Sequence, residues 1–260
     1  MFDKRNSGKH EIWLSGEGGA SERIAGGPDP IVAIWTPDGR ILYSRREAQE
    51  NVVIERPADA LGAESVLARI PGNARPVVRN ISANGKVVAL SAGGGGRNEA
   101  SLFSRPGGNA RPANLPPLAS AASGLGLSPD GRWLTYVVGP SPFHIFVRAV
   151  PDDPAPLPPG DREIASIATP VVGIRWSADG KELLFLTEPA TEQTALMSLP
   201  IVWNDGTPRA GVPRKLFDAP RAVGFDVTTA GHRFIVAESL SGNTILPIVL
   251  VQNWSALLRK

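Results

Sequence analysis

The sequence of 260 residues contains no cysteine and only three histidines. Without cysteine there is no disulfide framework and no thiolate metal site. His10, His144 and His232 stand far apart, and none has a partner at the spacing a metal-binding helix or hairpin needs. His232 takes a turn-exit slot that Arg or Lys fills elsewhere, and His144 reads as the start of an outer strand, so both are expected to be structural. Charge of one sign is also missing. The 27 Lys and Arg face 25 Asp and Glu, which leaves a formal net charge of +2 and no basic stripe for nucleic acid. Long apolar runs are absent too: the stretch from Ile245 to Val251 is broken by Pro247 and is far too short to cross a bilayer. The first ten residues carry charge with no apolar stretch behind it, so no signal peptide is legible. A cytoplasmic location without membrane insertion is the expectation, or a periplasmic one if Met1 is not the natural start.

What the chain does have is 28 glycines, 25 prolines and 42% hydrophobic residues. Such frequent turn residues favour many short strands, and the apolar content suffices for a sizeable core. One short pattern recurs five times. It reads Trp35-Thr36-Pro37-Asp38-Gly39-Arg40, Ile81-Ser82-Ala83-Asn84-Gly85-Lys86, Leu127-Ser128-Pro129-Asp130-Gly131-Arg132, Trp176-Ser177-Ala178-Asp179-Gly180-Lys181 and Val227-Thr228-Thr229-Ala230-Gly231-His232. The glycines Gly39, Gly85, Gly131, Gly180 and Gly231 follow one another at intervals of 46, 46, 49 and 51 residues, a period that marks a repeat architecture. A hydroxyl residue, then Pro or Ala, then Asp or Asn, then Gly suits a type I turn. Pro presets φ, the hydroxyl bonds back to the turn, and Gly takes a positive φ that lets a hairpin continue. The fifth copy has Ala230 in place of the acid, so its turn should be less well fixed.

Apolar residues flank each turn. The third position after each glycine is Leu42, Val88, Leu134, Leu183 or Phe234, with Tyr43, Leu90, Tyr136, Phe185 and Val236 close by. These read as buried strands, and a further strand follows in each unit at 51–54, 101–104, 144–150, 195–199 and 246–251. Four strands per unit at this period is the arithmetic of a propeller blade, whose apolar faces are covered only by stacking on its neighbours. A β-sandwich also has many short strands, but it does not require the same turn five times at nearly constant spacing. The fold expected is an all-β β-propeller forming one domain over 1–260. Its four-stranded antiparallel blades span 30–74, 75–119, 120–168 and 169–219. A three-stranded last blade spans 220–260, and residues 1–29 supply two leading strands, His10–Leu14 and Ser21–Ile24. Packing of those strands beside the last blade would close a ring of five or six blades.

The Ser-Pro-Asp-Gly-Arg turns resemble those of TolB-like, WD-repeat-like bacterial β-propellers, and the resemblance covers nearly the whole chain. It is most specific from Val171 to Lys260. There Trp176 to Phe185 is followed by Pro213-Arg214-Lys215-Leu216-Phe217, by Phe225-Asp226-Val227-Thr228 and Arg233-Phe234-Ile235-Val236, and by the closing Pro247 to Trp254. This ending is similar to the C-terminal propellers attached to bacterial serine/threonine kinases and transcriptional regulators. Family members usually carry further strands upstream, whereas these residues begin inside a blade and include neither kinase motifs nor a helix-turn-helix candidate. The resemblance therefore implies a sensing or scaffold module, a fragment of a longer regulatory protein.

No constellation in the sequence carries chemistry. Asp38, Asp130 and Asp179 share one turn position, which explains them without catalysis. Gly93 to Arg97 lacks the Lys-Ser/Thr and the helix start of a phosphate loop and reads as a hairpin tip. There is no Gly-x-Ser-x-Gly nucleophile elbow. Trp35 and Trp176 share the position before the turn and are expected to pack between blades. Trp133 lies just past its turn, and Trp203 and Trp254 fall outside the repeat core, where packing is again expected. The proline-rich segments 112–117, 151–159 and 208–213 read as stiff surface connections. No catalytic, cofactor-binding or metal-ligating residue is assigned, and no cofactor is expected. The expected function is that of a non-enzymatic, monomeric module that binds a protein and no nucleic acid. The alternative is the propeller part of an enzyme, either a prolyl-oligopeptidase-like hydrolase or a propeller lyase, which needs an α/β-hydrolase domain or converging histidines and carboxylates.

Overall fold

The computed structural model describes residues 2–6, 9–15, 21–27, 33–47, 50–57, 63–71, 75–94, 97–105, 111–112, 124–150, 160–189, 191–227, 233–238 and 248–252. Every regular element among them is a β-strand. The chain divides into two compact units, the first Met1–Leu115 and the second beginning at Pro116.

The first unit holds three antiparallel sheets. The first comprises β1 (Phe2–Asn6), β2 (Lys9–Ser15) and β3 (Ser21–Gly27). It has one strand more than the two leading strands expected, because Phe2–Asn6 pairs with β2 from Phe2↔Trp13 to Asn6↔Lys9. The run Asp3-Lys4-Arg5 has no apolar alternation, so nothing in it announces a strand. The second sheet is β4 (Ala33–Trp35), β5 (Arg40–Glu47), β6 (Glu50–Pro57) and β7 (Ser65–Pro71). The third is β8 (Arg75–Ile81), β9 (Val87–Gly94), β10 (Arg97–Ser104) and β11 (Arg111–Pro112). In the glycine run, β9 and β10 pair up to Gly94↔Arg97, while Gly95 and Gly96 lie outside the described residues.

The second unit continues with β12 (Leu125–Leu127), β13 (Trp133–Val138), β14 (Phe143–Ala149) and β15 (Arg162–Ile167) in sequential order. The fifth sheet contains β16 (Val171–Trp176), β17 (Glu182–Thr187), β18 (Ala195–Asn204), β19 (Thr207–Ala210) and β20 (Arg214–Asp218). The sixth is β21 (Ala222–Val227), β22 (Arg233–Glu238) and β23 (Ile248–Gln252).

β18 does two jobs. Its first half pairs with β17 on one side and β20 on the other, whereas Ile201–Asn204 runs on and pairs with β19 alone. The result is a two-stranded arm. Its tip is Asp205-Gly206 with φ of 48° and 73°, the conformation of a type I′ hairpin turn. The segment 208–213 is therefore not simply a stiff connection: Pro208 sits in β19, an arm strand paired on one side only, where a missing N–H is tolerated.

The four described copies of the turn work as their spacing implies. Gly39, Gly85, Gly131 and Gly180 all have φ between 68° and 78°. Each donates its N–H to the backbone carbonyl of the hydroxyl residue three positions earlier. The hydroxyls of Ser82, Ser128 and Ser177 each donate to the Asn or Asp two residues on, at 2.7, 2.6 and 2.7 Å. That same side-chain oxygen accepts the N–H of Lys86, Arg132 or Lys181. The fifth turn, 228–232, lies outside the described residues.

The first turn differs by one residue. Ser82, Ser128 and Ser177 donate their backbone N–H to the carbonyl five residues on, but Thr36 donates to Arg40, four residues on. The following strand is shifted accordingly. Ile41 pairs with Trp35, the place that Leu134 takes opposite Leu127, so Ile41 rather than Leu42 is the counterpart of Leu134. Tyr43 and Tyr136 then fall at the same position, opposite Ala33 and Leu125. The slip is tolerated because Ile41, Leu42 and Tyr43 are all fully buried, so no face of the strand is reserved for water.

Apolar packing joins neighbouring sheets within each unit. Leu42, Val53 and Ala68 of the second sheet meet Val78, Val88, Leu90 and Phe103 of the third. Val137 and Ile145 of the fourth meet Ile174, Trp176, Leu183 and Phe185 of the fifth. Leu184, Leu186, Leu196 and Leu216 of the fifth meet Phe225, Phe234 and Val236 of the sixth. This covering of both faces explains why β5, β6 and β17 are buried in runs rather than alternately. Trp176 packs between sheets as expected, donating its indole N–H to Thr135 Oγ1 at 2.9 Å. Trp35, at the same repeat position, remains 46% exposed and does not.

Candidate functional site

Titratable groups gather in three places among the described residues, and only one of them is left with uncommitted charge. The first is the turn face of the first unit. Asp38 is held from outside its turn as well as by Thr36 within it. It accepts two hydrogen bonds from Arg105 Nη2, at 3.0 and 2.7 Å, and Arg105 Nε donates to Glu55 at 2.6 Å. The Arg105 hydrogen bonds hold the Asp38 carboxyl down at about 2. A carboxyl depressed in this way adds stability that is complete above its ordinary value of about 3.9 and is lost as pH falls. The Asp38 side chain is 53% exposed, so solvent screening keeps the contribution under about 1 kcal/mol. Asp38→Asn is therefore expected to be slightly less stable than the parent at pH 7 and indistinguishable from it near pH 2, read by urea denaturation at each pH.

The second place is a pair of matching clamps that the sequence reading missed. In the second sheet Tyr43 donates to Glu64, which Arg45 also holds at 2.8 Å and which Arg56 approaches at 3.9 Å. In the fourth sheet Asp161 accepts from Arg148 Nε at 2.6 Å and from Nη2, with Tyr136 beside it. Glu64 and Asp161 each immediately precede the first paired residue of the fourth strand, and Arg56 and Arg148 face Ile41 and Leu134. Burial first, and then the neighbouring carboxylate, pushes both phenols well above their ordinary range. Burial also pushes Asp161 up, but the hydrogen bonds from Arg148 and the contact with Tyr136 outweigh it and leave the carboxyl below its usual value. The clamps are not identical: Arg45 is the main partner of Glu64 where Arg148 holds Asp161, and the Tyr136 hydroxyl is buried without a well-formed hydrogen bond. Tyr43→Phe should therefore cost about 1–2 kcal/mol, and Tyr136→Phe less than about 0.5 kcal/mol, in denaturant melts.

The third place is a groove of roughly 430 Å³ in the second unit, between the fourth sheet and the arm. Arg162, Glu163 and Ile164 of β15 line one side, and Pro208, Arg209 and Ala210 of β19 line the other. The acids nearest in sequence are already engaged. Asp161 holds Arg148, and Glu163 meets His144 Nδ1 at 2.8 Å. Arg162 and Arg209 have no ion pair or side-chain hydrogen bond among the described residues. His144 thus lies on the third strand of its sheet rather than an outer one, and its partner is this carboxylate. The side chain of His10 and all of His232 lie outside the described residues.

The arm beside this groove is anchored and partly apolar. Trp203 stacks on Trp176 at 5.9 Å and donates its indole N–H to Gly180 O at 2.9 Å, so it packs even though it lies outside the repeat core. Val202 is the cross-strand partner of Arg209, on the same face of the arm, and is 63% exposed. Val212, just beyond β19, is 82% exposed. Trp133 is partly buried, and Trp254 lies outside the described residues. No group of three or more His, Cys, Asp or Glu able to hold a metal occurs among the described residues.

Solved structures of the same architecture are numerous. TolB from Acinetobacter baumannii superposes with a TM-score of 0.66 at 17% identity, over 94% of this chain and 57% of that one. A putative TolB from Agrobacterium tumefaciens gives 0.63 at 18% identity, over 90% and 81%. An oligogalacturonate lyase from Vibrio parahaemolyticus gives 0.59 at 9% identity, over 95% and 69%. The chain thus spans little more than half the length of the first of these. No protein-family model matches the sequence, and neither does any curated protein sequence. The fold is that of a TolB-like β-propeller.

Proposed function

We propose that this TolB-like β-propeller is a protein-binding module without a catalytic step of its own, acting as the sensing or scaffold part of a regulatory protein. The observation that carries the reading is the arm of the second unit. It presents exposed Val202 opposite Arg209 next to a groove with two uncommitted guanidinium groups. Apolar side chains together with arginine, displayed on a rigid hairpin, are what protein interfaces use, and a ribbon anchored by stacked tryptophans loses little entropy on docking. A lyase-like propeller is the competing reading. It would need several histidines and carboxylates converging on one point, and among the described residues the only histidine–carboxylate contact is that of His144 with Glu163.

The test is quantitative recovery of proteins from the native cell on the intact chain and on Val202→Glu, an exposed change that leaves the core alone. At least one protein should bind the parent and be recovered about tenfold less by the variant. Recovery of nothing above background under any condition would overturn the reading.

A further inference from the structure

We propose that Trp203 is the positioning residue of the docking surface, the side chain that fixes which face of the arm is offered to a partner. This rests on the binding-module reading and adds to it the device that holds its site in place. Neighbours along a strand point to opposite faces, and cross-strand partners share one. Trp203 is the partner of Pro208, and Val202 the partner of Arg209. The arm therefore carries Trp203 and Pro208 on one face and Val202 and Arg209 on the other. Holding the first face inward is what turns the second outward. The burial agrees: Pro208 is buried, while Val202 and Arg209 are exposed.

Trp203 is held from three directions. Its ring stacks on Trp176 with the two planes 24° apart, and its N–H donates to Gly180 O at 2.9 Å. Trp176 is only 7% exposed and is bonded to Thr135 of the fourth sheet, so the stack rests on a fixed floor. A Cβ built at Gly180 would lie within 3.8 Å of both Trp203 and Pro129, so the third and fourth turns border the indole as well. The root of the arm is packed through Ile201 and Ala210. Past that root, the side-chain hydrogen bond and the ring contact that hold the arm among the described residues both come from Trp203. A two-stranded ribbon alone is marginally stable, so its direction depends on such an anchor. A surface whose orientation is fixed beforehand loses less freedom on binding. Trp203 thus acts on a partner through Val202 and Arg209.

The experiment compares the intact chain with Trp203→Ala and Trp203→Phe. The chain has no cysteine, so Asn204→Cys places a single nitroxide label near the tip of the arm. Its spin-resonance line should be broad in the parent and in Trp203→Phe, which keeps a stacked ring, and should sharpen in Trp203→Ala. The stacked indoles should give a coupled pair of bands in the circular dichroism spectrum of the parent, lost in both variants. The probe for binding is an extract of the native cell, scored on the protein whose recovery Val202→Glu lowers. Trp203→Ala should lower that recovery about tenfold with Val202 and Arg209 both in place, and Trp203→Phe by less than about twofold. Urea denaturation checks that each variant is folded. Trp203→Leu, which keeps apolar bulk without the stack or the N–H, takes the place of Trp203→Ala if that variant does not fold. Unchanged recovery by Trp203→Ala would overturn the proposal. So would a label equally immobile in the parent and in Trp203→Ala, or a parent spectrum without the paired bands. None of these results touches the recovery of a partner sensitive to Val202→Glu, so they leave the binding-module reading standing. If no protein depends on Val202, that reading falls and this one with it.

Discussion

Asp161→Ala is expected to destabilise the protein by about 3 kcal/mol, because it leaves the Arg148 guanidinium buried without its anion. The Arg148 side chain is only 8% exposed, and both its Nε and its Nη2 are spent on Asp161. Asp161 is itself 26% exposed, so water replaces the lost carboxylate only in part, and the variant keeps much of the cost of desolvation without the attraction that offset it. Removing both partners should restore most of the loss: Asp161→Ala combined with Arg148→Met takes the charge away along with its counter-ion. Urea denaturation of the two single variants and the double variant reads the coupling directly. Additive losses would show that the clamp does not act as a unit.

Gly126→Val should cost about as much, roughly 3 kcal/mol, by a different route. Gly126 is the middle of the buried strand β12, and a Cβ built there would lie 2.8 Å from Ile174 Cγ2 and 3.5 Å from Trp176 Cδ1 on the next sheet. Its backbone is ordinary strand, so the penalty comes from the neighbours alone. Ile174 is fully buried and has no free volume into which to retreat. A fall of about 6–12 °C in melting temperature is expected for a loss of this size. Ile174→Ala opens space at that point, so the double variant Gly126→Val, Ile174→Ala should be more stable than the sum of the single losses indicates. An unshifted melting temperature for Gly126→Val would mean that the two sheets do not approach as closely as the structure shows.

The repeat was legible because its turn is made by local chemistry. Hydroxyl, acid and glycine bond within six residues of one another, so each copy announces itself wherever it occurs, as at Ser128, Asp130 and Gly131. What escaped depends on pairing between distant residues. The shorter closure of the first turn, at Arg40 rather than one residue later, cannot be seen from the glycine spacing, and it moved the whole strand by one position. Strand β1 escaped because Asp3-Lys4-Arg5 is paired through its backbone and shows no apolar period. The arm escaped because Pro208 and Pro213 are strand breakers by residue type, although Asp205-Gly206 is a strong hairpin signal and the interval to the next turn glycine is longer there. The clamps were beyond reach: Tyr136, Arg148 and Asp161 sit on three strands, and their match with Tyr43, Arg56 and Glu64 emerges only when the register is known. The groove depends likewise on the arm, since Arg209 has no fixed place until β19 is folded back on β18.

The claim that the second unit's arm is a protein-docking surface is tested most directly by photo-crosslinking in the native cell. A photoreactive residue at position 202 should form a discrete protein adduct, and one at position 35, the half-exposed tryptophan of the first unit, should not. An adduct at 35 with none at 202, or no adduct at either position, would contradict the account.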